Sequence, residues 1–159
     1  MAVSHQLIQF LRRGFVLDWS GIHGAPHWAR VREIGLRLSE STGANTRVVE
    51  TFAFLHDSQR LSEGRDREHG RRAADLARRL PASLLALTES EVELLATACE
   101  GHSEGLMQAD ITVRTCWDAD RLDLGRVGII PDPLRLCTDA ARDPAIIRWA
   151  YARSTRAVG

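Results

Sequence analysis

Apolar residues recur at helical spacing in most segments of this chain, and that periodicity restricts the fold more than any other feature of the sequence. In the segment that follows Pro26, for example, Val31, Ile34 and Leu38 fall on one face of a helix. Segments of this kind are separated by stretches that contain glycine or proline, which interrupt helices. The sequence therefore predicts an all-α fold.

Local signals predict where the helices begin and end. Pro26 suits the first helical position, and Asn45 is a suitable N-cap for the next helix. Thr88, followed three residues later by Glu91, forms a capping-box pattern. The predicted helices span approximately 4–15, 26–41, 45–57, 69–80, 88–101, 113–124 and 144–153, with a loop after Gly125 and a short frayed tail at the end.

Length and charge balance narrow the functional classes. A chain of 159 residues, 44% of them apolar, can bury one core, so we expect a single domain over residues 1–159. Lysine plus arginine and aspartate plus glutamate both number 21, so no net charge favours nucleic acid or an anionic membrane. No apolar run reaches the ~20 residues of a membrane span, and the first residues lack a signal pattern. We therefore expect a cytoplasmic protein that binds neither membranes nor nucleic acid.

Most of the histidines lie at predicted helix ends or in adjoining loops. Five of the six share this placement: His23, His27, His56, His69 and His102. Imidazole nitrogens together with carboxylate oxygens suit manganese, iron, cobalt, nickel or magnesium better than structural zinc. Taken singly, however, a histidine on an apolar helix face is more often a hydrogen-bonded core residue than a metal ligand. A metal site therefore has to be argued from the combination.

Four short motifs occur in a particular order. They are H-G-x-x-H-W-x-R-V, F-L-H-D, H-G and D-A-D-R-L-D, and they lie between about residues 23 and 128. The H-D dipeptide alone is common by chance, whereas four ordered elements are not. In this order the motifs resemble the HD-domain metal-dependent phosphohydrolases. The resemblance implies an orthogonal bundle of about six helices.

The resemblance also implies a metal site with residues in defined roles. A divalent metal would be bound by four residues: His27, His56, Asp57 and Asp120. Asp57 would also be catalytic, because it could orient the attacking water. His69 and His102 match positions that hold a second metal or the substrate phosphate in some members, although both could instead be exposed residues at helix ends. Arg60 and Arg121 could bind phosphate through charge-assisted hydrogen bonds, but arginine is abundant on solvated helix faces.

Three aspartates compete for one role within D-A-D-R-L-D. Asp120 matches the metal ligand of the family pattern, and Asp118 points ~200° away from it on a helix. Asp118 is therefore predicted to support the ligands or to lie on the surface, and Asp123 could hold a ligand or a substrate water. His23 is also a candidate for a supporting group. It precedes His27 by four residues, but Gly24 and an intervening proline interrupt the helix.

The expected activity is cleavage of a phosphoester or phosphoanhydride in a small phosphorylated substrate, in particular a nucleotide. Two alternatives stay open. A di-iron oxygenase could use six ligands: His27, His56, Asp57, His69, His102 and Asp120. A non-catalytic module could retain the fold to bind a nucleotide or a protein partner. A homodimer is also compatible with the sequence, and the segment after Gly125 carries no recognisable function.

Overall fold

The computed structural model describes residues 2–156, and within them the chain is helical and contains no strand. This confirms the predicted all-α fold. The helices are α1 (His5–Gly14), α2 (Ala25–Thr42), α3 (Thr46–Leu55), α4 (His69–Arg79), α5 (Ala82–Leu85), α6 (Glu89–Gly101), α7 (Ile111–Arg121), α8 (Asp139–Arg142) and α9 (Pro144–Arg156), with 3-10 turns at Leu124–Val127 and Pro133–Arg135. None of these helices combines the length and the apolar character needed to cross a lipid bilayer.

The helix boundaries follow the local chemistry of their caps. The Asn45 side chain accepts hydrogen bonds from the backbone N–H groups of Arg47 and Val48, which confirms it as the N-cap of α3. Thr88 and Glu91 form the predicted capping box at the start of α6. The short helices α5 and α8 were not predicted, because four residues are too few to show a helical period. Helix α9 continues to Arg156, and the rest of the predicted tail, residues 157–159, lies outside the described residues.

A glycine allows α2 and α3 to pack closely. A Cβ atom added to Gly35 would lie 2.5 Å from Cγ1 of Val49, well inside a normal contact distance. Around this contact the predicted apolar face of α2 is shielded from solvent, and its residues Val31 and Ile34 are both 0% exposed. The close packing of α2 and α3 brings the first turn of one helix beside the last turn of the other.

A second glycine allows α4 to approach α6. A Cβ atom on Gly70 would lie 2.5 Å from the backbone oxygen of Cys99 and 3.0 Å from that of Glu100. Only a residue without a side chain fits at this crossing. The crossing sets the start of α4 against the end of α6, so His69 and His102 meet there.

Candidate metal centre

Six ionisable side chains from five helical segments converge in the interior. His27 lies in the first turn of α2, His56 and Asp57 lie at the end of α3, and Asp120 lies near the end of α7. The start of α4 and the end of α6 contribute His69 and His102. Asp57 and the four histidines are between 0% and 4% exposed. The structure therefore brings together all the residues proposed as ligands of one or two metals.

The first part of the cluster, which we call the α2–α3 group, consists of His27, His56 and Asp120. Nε2 of His27 lies 3.0 Å from Nε2 of His56. Oδ1 of Asp120 lies 3.2 Å from the first of these nitrogens and 3.4 Å from the second. Two nitrogen atoms and a carboxylate oxygen thus surround one small volume.

The second part, the α4–α6 group, consists of His69 and His102. Their Nε2 atoms are 2.9 Å apart. Oδ1 of Asp57 lies 3.3 Å from Nε2 of His69 and 3.4 Å from Nε2 of His102. This group is therefore a second set of nitrogen and oxygen atoms that face one another.

Asp57 lies between the two groups and is shared by them. Its other oxygen, Oδ2, lies 3.4 Å from Nε2 of His27 and 3.6 Å from Nε2 of His56. One carboxylate therefore directs one oxygen to each pair of histidines. Both the set of His27, His56 and Asp57 and the set of Asp57, His69 and His102 have the spacing needed to hold a metal ion. The described residues thus contain buried groups that can bind metal.

Hydrogen bonds at Nδ1 fix the tautomers of these imidazoles. Nδ1 of His56 lies 3.0 Å from the backbone oxygen of Phe52, and Nδ1 of His102 lies 2.6 Å from that of Cys99. Nδ1 of His69 contacts the backbone oxygen of Asp66 in the same way. A carbonyl oxygen only accepts, so each Nδ1 carries a proton, and each of these rings presents a lone pair at Nε2 when it is neutral.

The paired Nε2 atoms therefore need a cation between them. Two nitrogen lone pairs at about 3 Å repel each other in a buried site, and neither can donate to the other. A shared proton or a metal ion would relieve this repulsion. The site presents imidazole nitrogens and carboxylate oxygens, which is the donor set that hard and borderline divalent metals prefer. The residues present therefore fit a divalent metal.

Asp123 supports the α2–α3 group from behind. Its Oδ2 lies 2.6 Å from Nδ1 of His27 and accepts a hydrogen bond from it. Arg30 holds this carboxylate in turn, with Nε 2.7 Å from Oδ1 and a second nitrogen 3.1 Å from Oδ2. A carboxylate behind a ligand histidine fixes the ring and raises its basicity. Arg30 has no role in the sequence-based interpretation, although it lies three residues after His27 and so on the same helix face.

The charges of the cluster reinforce one another. Burial and the charge of Arg126 lower the pKa of His27, but hydrogen bonds to Asp120, Asp123 and Asp57 outweigh them and raise it to about 9. Burial would raise the pKa of Asp57, yet the charge of His56 and hydrogen bonds from His102 and other histidines hold it well below its usual value. The metal-free site therefore favours a proton on the His27 imidazole and a negative charge on Asp57.

Asp118 lies away from the cluster and acts elsewhere. It is 0% exposed, so it is not the surface carboxylate that the sequence allowed. Its oxygens accept hydrogen bonds from the backbone N–H groups of Cys137 and Thr138 and from the Thr138 hydroxyl. Asp118 thus anchors the far end of the segment that follows α7. Sequence periodicity separated it from Asp120 but gave no sign of these distant partners.

Arg121 is engaged with the same region of the backbone. Its guanidinium donates to the carbonyl oxygens of Leu106 at 2.6 Å and Arg135 at 2.9 Å. These bonds tie the loop before α7 to the loop after it. The structure therefore gives Arg121 a tethering contact, in place of the free guanidinium that the phosphate-binding expectation requires.

Arg60 and His23 lie at the margin of the cluster. Nε of Arg60 is 3.3 Å from Oδ1 of Asp57, and its NH1 group donates to the carbonyls of Ser62 and Gly64. His23 contacts Glu63, with Nδ1 2.9 Å from the carboxylate, and burial lowers the pKa of His23. Only Arg60 of these two residues touches a candidate ligand.

A cavity of about 760 Å³ lies beside the cluster. His102 and Asp120 form part of its wall, and Arg126 lines it as well. The remaining wall comes mainly from the segment after Gly125, to which the sequence assigned no function. This cavity gives a small molecule a route to the cluster.

Comparison with known proteins found no matching family model, no significant match among curated proteins and no significant match among solved structures.

Proposed function

We propose that this protein is a metal-dependent phosphohydrolase of the HD type, which cleaves a phosphoester or phosphoanhydride bond in a small phosphorylated substrate. The proposal rests mainly on two pairs of histidines that share one carboxylate. The Nε2 atoms are 3.0 Å apart in the pair of His27 and His56 and 2.9 Å apart in the pair of His69 and His102. Asp57 supplies one oxygen to each pair, an arrangement suited to two divalent metals. The ordered H…HD…D motifs supply the reaction class.

A bound divalent metal lowers the pKa of a coordinated water and offsets the charge that develops on a phosphoryl group. The chain's own part is to position these partners. Asp120 lines the cavity. Asp57 and Asp120 can orient the water with their carboxylate oxygens. The Arg60 guanidinium adds a positive charge 3.3 Å from Asp57. In the reaction a bond forms between the water oxygen and phosphorus, the bond from phosphorus to the leaving oxygen breaks, and that oxygen takes up a proton.

The test begins with chelator-treated protein to which manganese, cobalt, nickel, magnesium or iron is returned. Release of phosphate or pyrophosphate would be measured from a panel of nucleotides and phosphomonoesters. We expect release that requires a metal and disappears in Asp57→Asn. Asp75→Asn is the matched control, because Asp75 is an exposed aspartate on α4. Tight metal binding without release from any substrate would contradict the proposal.

A di-iron oxygenase is a second candidate, and one observation favours it. Six candidate ligands with a carboxylate between two pairs of histidines provide enough donors for two iron ions. An oxygenase would consume dioxygen when loaded with iron and would release no phosphate. Oxygen uptake measured on the iron-loaded protein, with Asp57→Asn beside it, separates the two activities.

A further inference from the structure

The cavity beside the cluster has an apolar wall that the metal site does not explain. We propose that this wall binds the organic group of the substrate and selects phosphoesters whose organic group is apolar, aryl or alkyl, over those of polyhydroxylated compounds. The inference rests on the proposed function and names the substrate class of the same site. It assigns a role to the segment from Leu124 to Leu136, which lines the cavity.

The cavity is continuous with the candidate metal centre. His102 and Asp120, one from each group of the cluster, lie in its wall. A phosphoryl group placed at these two residues therefore has its ester substituent inside the cavity. At about 760 Å³, the cavity has room for a substituent the size of a ring.

The apolar side chains of the wall are exposed to an unusual degree. Ile129 is 51% exposed, Ile130 is 67% exposed and Leu134 is 86% exposed, and all three line the cavity. Leu124, Leu136 and Met107 add further apolar atoms. Scattered exposed apolar residues need no explanation, but a group of them around one cavity marks a binding surface. An apolar ligand would remove this surface from water.

Polar contacts hold the wall in place at its C-terminal end. Asp118 accepts hydrogen bonds from the backbone of Cys137 and Thr138, directly after the cavity segment. Arg121 donates to the Arg135 carbonyl, and Arg142 donates to the Leu136 carbonyl at 3.0 Å. These contacts fix the C-terminal end of the segment. A wall fixed before binding loses little entropy when the ligand enters.

Two charged residues of the cavity wall already form hydrogen bonds within the protein. Arg126 donates to the carbonyls of Ile22 and Asp123, both at 2.9 Å. Asp132 accepts a hydrogen bond from the N–H of Leu134 at 3.0 Å. A substituent rich in hydroxyl groups would lose its water where it meets the apolar side chains of Ile129, Ile130 and Leu134, which is unfavourable. The wall therefore favours an apolar substituent.

Binding of two non-hydrolysable phosphonates to the manganese-loaded protein tests the inference. Phenylphosphonate and methylphosphonate offer the same phosphoryl oxygens and differ in the apolar group. Calorimetry should give phenylphosphonate a dissociation constant at least roughly tenfold lower. The double variant Ile130→Asn/Leu134→Gln should abolish this preference and leave methylphosphonate binding unchanged. The control is Val16→Asn/Leu61→Gln, because these residues are 65% and 66% exposed and lie outside the cavity wall.

The outcomes separate this inference from the proposed function. A preference that is present in the wild type and in the control, and absent from the Ile130→Asn/Leu134→Gln variant, supports the apolar subsite. Equal affinity for the two phosphonates in the wild type overturns the subsite but leaves the phosphohydrolase proposal standing. A preference that survives in the double variant also overturns the assigned wall. Absence of binding by either phosphonate to the manganese-loaded protein overturns both.

Discussion

The two groups that share Asp57 differ in how the chain builds them. Helices α2, α3 and α7 form the α2–α3 group, which includes the second carboxylate, Asp120. In the α4–α6 group, two helices contribute only imidazoles, and the sole carboxylate is that of Asp57. The groups that accept hydrogen bonds from Nδ1 of the histidines differ as well. A carboxylate paired with Arg30 holds His27, whereas backbone carbonyls hold His69 and His102.

This difference predicts unequal affinity for metal. A divalent ion in the α2–α3 group meets two anionic carboxylates, and an ion in the α4–α6 group meets one. Attraction between charges is strong in a buried site, so the additional carboxylate favours the first position. We therefore expect metal to bind in two steps, with the α2–α3 group filled first.

The largest expected effect comes from removing a ligand of the α2–α3 group. In His27→Gln, the first metal loses an imidazole, and metal-dependent hydrolysis should fall by more than the roughly 100-fold that loss of a supporting group costs. Elemental analysis after dialysis and a phosphate-release assay would measure the two effects. His5→Gln is the control, because His5 is an exposed histidine on α1. If His27→Gln retained as much tightly bound metal as the wild type, the assignment of His27 as a ligand would be refuted.

A ligand change in the α4–α6 group should have a smaller effect. His69→Gln leaves His27, His56, Asp57 and Asp120 in place, so one tight ion should remain while the second is lost. We expect activity to fall by about 10- to 100-fold, less than in His27→Gln. Titration of metal into the chelated variant would count the ions. Loss of both ions would mean that the two groups are not separable.

The support behind His27 gives a third comparison. Asp123→Asn replaces the carboxylate that accepts from Nδ1 of His27 and leaves Arg30 without its charge partner. Metal affinity of the first site should fall by about 10- to 100-fold while that of the second changes little. Competition with a metal-binding dye at two metal concentrations would resolve the two sites. Equal weakening of both sites would contradict the local role given to Asp123.

A change of one pH unit gives the smallest expected effect on metal affinity. Because the folded-state pKa of His27 is raised from 6.5 to about 9, the metal-free fold binds this proton more tightly than the unfolded chain does. That stabilisation is fully present below pH 6.5 and is lost as pH rises toward 9. Metal must displace the proton, so its affinity should rise by up to about tenfold per pH unit across this window. A titration at several pH values that showed flat affinity would contradict this.

The sequence predicted those features that depend on neighbouring residues. The apolar face of α2, the Asn45 N-cap and the Thr88 capping box each depend on residues a few positions apart, and each is present in the structure. The two four-residue helices escaped prediction because they are shorter than a useful period. The helical periodicity of the sequence therefore predicted the longer helices but not the exact number of helices.

The environment of individual site residues was harder to predict, because it depends on distant parts of the chain. Helical phase separated Asp118 from Asp120, yet the partners of Asp118 lie 19 and 20 residues away in a loop without periodicity. Arg121 likewise reaches carbonyls 14 and 15 residues away. The cavity wall arises from the same loop. No local signal in the sequence specifies such contacts.

Metal titration of the chelated wild-type protein, with Asp57→Asn in parallel, is the most direct test of the central claim that one carboxylate serves two metal positions. Calorimetry with manganese should show two ions per chain in the wild type, bound in two steps of different affinity. In Asp57→Asn both steps should weaken together, because the shared oxygens are changed at both positions. Failure of the wild type to bind any divalent metal, or two unweakened steps in Asp57→Asn, would contradict it.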